Sequence, residues 1–235
     1  MSLKAILFDL DGTLVPMDQD IFVNNYFGRL AKKLAVHGYE PKKLIDTVWY
    51  GTKAMIKNSS EKSNEEVFWE AAVSVYGEML LRDKPLFDEF YETEFDNVKE
   101  VCTVNPAAAE TVRKLKADGY RVALATNPIF PKLATELRMG WAGLSPEDFE
   151  LYTAYENINR SKPNPEYYSI IAERMGAAPE ECLMVGNDVD DDMIAEKIGM
   201  KVFLLNDFLI NKNNADIYVY PNGSFAELLE YINTL

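Results

Sequence analysis

Residues 7–14 read LFDLDGTL: an apolar run stops at two aspartates one residue apart, and Gly-Thr follows at once. Ala5 and Ile6 extend the run upstream, giving four apolar side chains without alternation. Such a run suits a strand covered on both faces, as in a parallel sheet. Residues i and i+2 of a strand point the same way, so Asp9 and Asp11 address one small volume. Carboxylates that close repel each other unless a proton or a cation intervenes. Oxygen-only donors favour a hard cation, Mg²⁺ above all in phosphate chemistry. Gly12 permits a sharp bend, and Thr13 adds a hydroxyl and a backbone N–H. The plain alternative is an acidic turn after a strand; matching groups elsewhere in the chain decide between the two.

The strand theme recurs downstream. NPAAAETVRKLKADG (105–119) predicts a helix with Asn105 as N-cap, Pro106 at its first position and Gly119 as its end. The strand RVALATN follows, then the helix NPEYYSIIAERMG, the strand CLMVGND, the helix DDMIAEKIG and the strand KVFLLND. SFAELLEYINTL closes the chain as a helix. Alternating strands and helices predict an α/β fold, a Rossmann-like doubly wound parallel sheet, with ligands bound beyond the carboxyl ends of its strands.

Residues 16–99 have another texture. Apolar residues recur there at helical spacing, with Pro41 near one helix start and Ser63 with Glu66 as a capping-box pair at another. The division expected is a core of residues 1–15 and 100–235, with 16–99 an inserted all-helical cap domain.

The 235 residues carry a net charge of -14, which repels phosphate backbones and argues against a nucleic-acid partner. Cys102 and Cys182 lie far apart without metal-type spacing, which fits a reducing, cytoplasmic setting better than a disulfide framework. No apolar run approaches the roughly 20 residues that span a bilayer, and no basic region precedes a long apolar block at the N-terminus. A monomer and a homodimer are both compatible with the composition.

Three further stretches carry chemistry. Thr126 ends the strand of ALATN, where a hydroxyl can hold a phosphate oxygen, although such residues are commonly ordinary turn residues. Lys162 precedes Pro163 at the start of a helix; a lone lysine is usually a solvated surface charge. In GNDVDDDM (186–193), Asp188, Asp190 and Asp192 alternate like the start of an EF-hand loop. That reading fails, because the sixth position is Met193 and the twelfth is Gly199. Asp190 and Asp191 read as favourable charge at a helix N-terminus. His37, the single histidine, reads as a C-terminal helix residue before Gly38.

DLDGTL resembles the first motif of the haloacid dehalogenase-like superfamily. The resemblance runs on through Thr126, Lys162 and the acidic loop after Val185, covering the core but not the helical insert. It implies a nucleophile at Asp9 and an acid/base at Asp11. It implies phosphate binding by Thr126, Asn127 and Lys162, with Lys162 also offsetting charge on the nucleophile and the transferring group. Mg²⁺ is implied at Asp9, Asp188 and the backbone carbonyl of Asp11. The family often shows Gly-Asp where this chain has Gly186-Asn187-Asp188; Asp188 is taken as the metal ligand, with Asn187 and Asp192 as support. An acid at position 11 favours phosphoryl over dehalogenase chemistry, since a halide leaves without a proton.

The function expected is Mg²⁺-dependent hydrolysis of a small phosphorylated metabolite through an aspartyl-phosphate. A phosphomutase of the same superfamily and a non-enzymatic phospho-acceptor or metal-binding regulator are the alternatives. Substrate choice is expected in the insert, with Asn24, Asn25, Trp49 and Lys53 as candidates and core packing the stronger reading for Trp49.

Overall fold

The computed structural model describes residues 3–235. Six strands form one parallel sheet: β1 (Ala5–Phe8), β2 (Arg121–Leu124), β3 (Leu151–Tyr152), β4 (Cys182–Gly186), β5 (Lys201–Leu205) and β6 (Asn222–Gly223). Their spatial order is β3-β2-β1-β4-β5-β6, with every neighbouring pair parallel. The order reverses at β1, which places a crevice at the carboxyl ends of β1, β2 and β4.

β1 is central and wholly buried, and its alternation feeds two cores. Ile6 and Phe8 join Val122, Leu124, Leu183, Val185 and Phe203 on one face. Ala5 and Leu7 join Ala123, Met184 and Leu204 on the other, beneath α7 (Pro165–Arg174). The unalternating apolar run thus has the cause expected of it: both faces are covered.

Local signals set the helix ends. α5 (Pro106–Ala117) starts at Asn105, whose side chain accepts from the Ala107 N–H, with Pro106 first in the helix. Gly119 follows with φ +95°, a conformation cheap only for glycine. DDMIAEKIG departs from expectation, giving a 3₁₀ helix over Met193–Ile198 rather than an α-helix. In the turn before it the Asp188 side chain caps the N–H groups of Asp190 and Asp191, while Asp192, next to the helix start, turns inward to Lys162 and the Asp188 N–H and leaves the helix without a side-chain cap.

Between β1 and α5 lie four helices: α1 (Gln19–Ala35), α2 (Pro41–Ile56), α3 (Asn64–Tyr76) and α4 (Met79–Thr93). Ser63 and Glu66 close the capping box at α3. The chain leaves and returns at one place, where Met17 bridges Cys102 and the Thr103 N–H donates to the Pro16 carbonyl at 3.0 Å. A 3₁₀ helix over Phe95–Val101 leads back, and its Phe95 packs edge-on or stacked against Phe22, Tyr26, Phe90 and Trp141. Trp141 ends α6 (Lys132–Trp141), so this aromatic cluster joins the helical segment to the layer over the sheet.

A polar contact joins the two on the other side. Asn64, fully buried at the start of α3, donates through Nδ2 to Ser161 Oγ at 2.9 Å and to the Pro128 carbonyl at 3.2 Å. Its backbone N–H donates to the Ile158 carbonyl at 3.0 Å, and Ser161 Oγ donates to the Met55 carbonyl at 3.2 Å.

Phe95 is fully buried. Phe95→Ala is expected to lower the unfolding free energy by about 3–5 kcal/mol, measured by urea titration. A loss under about 1 kcal/mol would show that the cluster repacks freely.

Candidate active site

Every residue singled out for chemistry stands at a strand end or in a strand-to-helix loop. Asp9 directly follows β1, its N–H donating to the Val185 carbonyl of β4 at 2.9 Å. Thr126 and Asn127 follow β2, Asp188 follows β4, and Lys162 lies shortly before α7. Asp9, Asp11, Thr126, Asn127, Lys162, Asn187, Asp188 and Asp192 all line one cleft of about 260 Å³.

At its floor, the buried Lys162 Nζ lies 2.7 Å from Asp9 Oδ1 and 2.6 Å from Asp192 Oδ1. Burial opposes the ammonium charge, but Asp192 and Asp9 outweigh it and hold Lys162 well above the usual lysine range. Asp192 Oδ2 also accepts from the Asp188 N–H at 3.0 Å. A Cβ at Gly186 would collide with that oxygen, so glycine there makes the approach possible.

Asn187 is occupied as a clamp. Its Oδ1 accepts from Thr13 Oγ1 at 3.0 Å and its Nδ2 donates to the Phe208 carbonyl at 2.5 Å. Gly12 has φ +81°, and a Cβ there would collide with Asn187 Nδ2. The amide therefore ties the Asp9–Thr13 turn to the loop after β4. Asp188 Oδ1 accepts from the N–H groups of Asp190 and Asp191 at 2.8 and 3.0 Å. Among the described residues, the second carboxylate oxygens of Asp9 and Asp188 have no protein donor.

Arg138 was not among the residues expected from the sequence. It lies on α6, fully buried, and its guanidinium pairs with Asp11 Oδ2. Arg138 Nε donates to the Ala134 carbonyl at 3.1 Å, and the guanidinium carbon sits 4.5 Å from the Phe130 ring centroid. The available signal was its place on the buried stripe of Ala134, Thr135 and Met139. Two adjacent tyrosines of α7 were missed as well. Tyr167 OH donates to the Thr126 carbonyl at 2.7 Å and Tyr168 OH to the Asp191 carbonyl at 2.6 Å, fixing the loops after β2 and β4.

Some candidates lie elsewhere. Asn25 binds Arg29 and Glu100, and Asn24 lines the same outer groove. Lys53 lines a separate surface groove. Trp49 is 41% exposed rather than a core residue, and it borders the cleft. Its ring packs on one neighbour, Phe27, with the centroids 5.3 Å apart, and otherwise borders open space.

Asp9, Asp11, Asp188, Asp191 and Asp192 line the cleft, against Lys162 and Lys212, with Arg138 behind Asp11. Burial raises Asp9 to about 7, with Lys162 opposing the rise and Asp192 and Asp11 adding to it. Burial, then the neighbouring Asp188, raises Asp191 to about 6; Asp188 itself is raised by burial. The cleft thus holds more negative charge than its cations balance. Among the described residues no three His, Cys, Asp or Glu side chains form a closed metal cage. Mg²⁺ does not require one: it typically takes one or two carboxylates and completes its shell with water and substrate phosphate. Two carboxylates with free oxygens fit that requirement.

Among the described residues Asp11 Oδ1 and Asn127 Oδ1 are buried without a hydrogen-bond partner. Asn127 Nδ2 reaches Asp191 Oδ2 at 3.4 Å. The Thr126 side chain is buried beside Asp9 in the cleft wall.

A model of haloacid dehalogenase-like hydrolases matches residues 3–199. A glyceraldehyde 3-phosphate phosphatase of Methanothermobacter thermautotrophicus is 29% identical over 94% of this chain and 97% of its own length. The phosphoglycolate phosphatase of Escherichia coli is 26% identical over 84% of this chain and 79% of its own. The crystal structure of a predicted phosphoglycolate phosphatase from Haemophilus somnus superposes with TM-score 0.62 at 21% identity, covering 98% of each chain. A defluorinating L-2-haloacid dehalogenase superposes with TM-score 0.59 at 16% identity, over 98% of this chain and 95% of that one. The fold alone therefore does not separate the two chemistries.

The Asp9 shift has a sign that can be measured. The unfolded carboxyl titrates near 3.8 and the folded one near 7, so the folded state holds the extra proton between these values. Asp9's contribution is complete below the lower value and is lost as pH rises through the upper one. In chelator-treated protein, the urea midpoint is expected to fall across this interval, and Asp9→Asn to flatten that fall. An unchanged profile in the variant would place the titration elsewhere.

Proposed function

The chain belongs to the haloacid dehalogenase-like hydrolases, and we propose that it is a phosphatase hydrolysing a small phosphomonoester through an aspartyl-phosphate at Asp9. The observation that carries this reading is the pairing of Asp9 with Asp11 across one cleft, Asp9 held by Lys162 and Asp11 held by Arg138. The named relatives with phosphatase activity agree with it.

Asp9 Oδ1 is fixed on Lys162, which leaves Oδ2 to attack phosphorus in line with the ester oxygen. The P–O bond to the alcohol breaks as the bond to Asp9 forms. Asp11 gives a proton to the departing alkoxide through the unpartnered Oδ1, while Arg138 holds the other oxygen in place. Asp11 then takes a proton from a water that attacks the aspartyl-phosphate, and phosphate and free Asp9 are regenerated. Lys162, the Thr126 hydroxyl and the Asn127 amide face the phosphoryl oxygens. Asp188 and the Asp11 carbonyl, with the Asp9 oxygen not used in the attack, would hold Mg²⁺. When bound, the ion offsets the carboxylate charge so that a phosphate dianion can approach. Residues 16–99 serve as the cap over this cleft, shielding the reacting groups from bulk water.

Asp9→Asn is expected to lower p-nitrophenyl phosphate turnover at least about 10³-fold. Asp11→Asn should cost more with alkyl phosphates, whose leaving groups need a proton, than with p-nitrophenyl phosphate. Wild-type turnover by Asp9→Asn, or equal losses for Asp11→Asn on both substrates, would overturn these roles. Removal of divalent cations with EDTA is expected to abolish turnover and Mg²⁺ to restore it; activity that survives EDTA would remove the ion from the proposal.

A further inference from the structure

Beside the catalytic cleft lies a second cavity of about 80 Å³, walled by α1 to α4 and the loop after β2. By that measure one water needs roughly 10–15 Å³, so the space admits about the heavy atoms of a single ring. The two spaces adjoin: Val23, Trp49, Thr52, Ile129 and Phe130 border both. A group esterified to a phosphate in the cleft has this cavity as its neighbouring enclosed space.

The lining is specific in its chemistry. Nine of its sixteen residues are aromatic, and no lysine, arginine or histidine is among them. The one charged side chain is Asp88, and Lys84 nearby is engaged by Glu65. A leaving group with its own carboxylate or phosphate would meet Asp88 and no cation, and would lose its hydration without replacement. A flat uncharged ring would meet ring faces and edges. Among the described residues the Trp69 Nε1–H is buried without a well-formed hydrogen bond. That is a costly state for a donor and favours a ligand acceptor.

Resting on the phosphomonoester reading above, we propose that this cavity is the leaving-group subsite, and that the preferred substrates are phosphate esters of alcohols bearing an uncharged aromatic or heteroaromatic ring, with a ring acceptor for Trp69 Nε1. This sets the chain apart from an enzyme built for a second anionic group. The specificity lies in Trp69, Phe87 and Tyr155 around the ring, with Asp88 excluding anions.

The test compares kcat/KM for benzyl phosphate, pyridylmethyl phosphate and phosphoglycolate. The ring esters are expected to exceed phosphoglycolate by about tenfold or more. Val48→Phe fills the cavity from a wall that does not border the cleft. It is expected to lower kcat/KM for the ring esters about tenfold and to leave phosphoglycolate within about twofold. Trp69→Phe removes the N–H together with part of the indole's bulk; the lost bulk affects both ring esters, so the lost donor should show as a larger cost for pyridylmethyl phosphate than for benzyl phosphate. Thermal melts of both variants establish that they fold. Phosphoglycolate preferred over the ring esters, or Val48→Phe affecting all three alike, overturns the subsite while leaving the phosphatase reading intact. No turnover of any ester, p-nitrophenyl phosphate included, overturns both.

Discussion

A single buried ammonium organises the cleft at the carboxyl end of the sheet. Lys162 reaches in from the loop before α7 and lies between Asp9, which follows β1, and Asp192, in the loop after β4. Three loops that are distant in sequence meet on one nitrogen. A charge taken from water must be compensated by close partners, or the loss is several kcal/mol. Here two carboxylates supply that compensation, so the geometry of the cleft and the solvation of the lysine are one constraint. Asp192 passes the constraint on to the Asp188 backbone, and Gly186 leaves the room for it.

A second ion pair stands behind the other acid. Arg138 holds one oxygen of Asp11 from the helix side while Lys162 holds Asp9 from the loop side. The two aspartates repel each other less when each is tied to its own cation. Their surroundings also differ in kind. The same residue type, two residues apart, sits against an ammonium in one case and a guanidinium stacked on Phe130 in the other. Beyond this charged floor the solvent character changes abruptly, from a carboxylate-rich cleft to an aromatic cavity across a shared wall.

The parts of this arrangement legible in the sequence are those fixed by local pattern. The run Ala5–Phe8 announces a doubly covered strand, and residues at strand ends fall together because parallel topology gathers them. Asp9, Asp11, Thr126, Lys162 and Asp188 could therefore be placed in one cleft from the sequence. Asn105 and the Ser63–Glu66 box were legible for the same local reason. Arg138, Tyr167, Tyr168 and Asn64 were not, because each acquires its role from a partner far away in the chain. Helical spacing shows that such a residue faces inward, but not what it will meet. Asn24, Asn25 and Lys53 failed for the complementary reason: they are polar residues on helices whose outward faces look the same in sequence as their cleft-facing ones. The ambiguity between Asn187 and Asp188 is physical too, since only the contacts with Thr13 and Phe208 reveal that the amide is already occupied.

Asn64 is one hydrogen bond away from Ser161, the chain neighbour of Lys162. It fastens the head of α3 to the stretch of chain that carries the buried ammonium. The helical segment is thus fastened beside the lysine, and on its other side the aromatic cluster carries a directed bond of its own, from Trp141 Nε1 to Asp96 at 2.8 Å. The solvation of Lys162 and the seating of α3 therefore share one short stretch of chain, and a change at Asn64 is felt two contacts away at the buried ammonium.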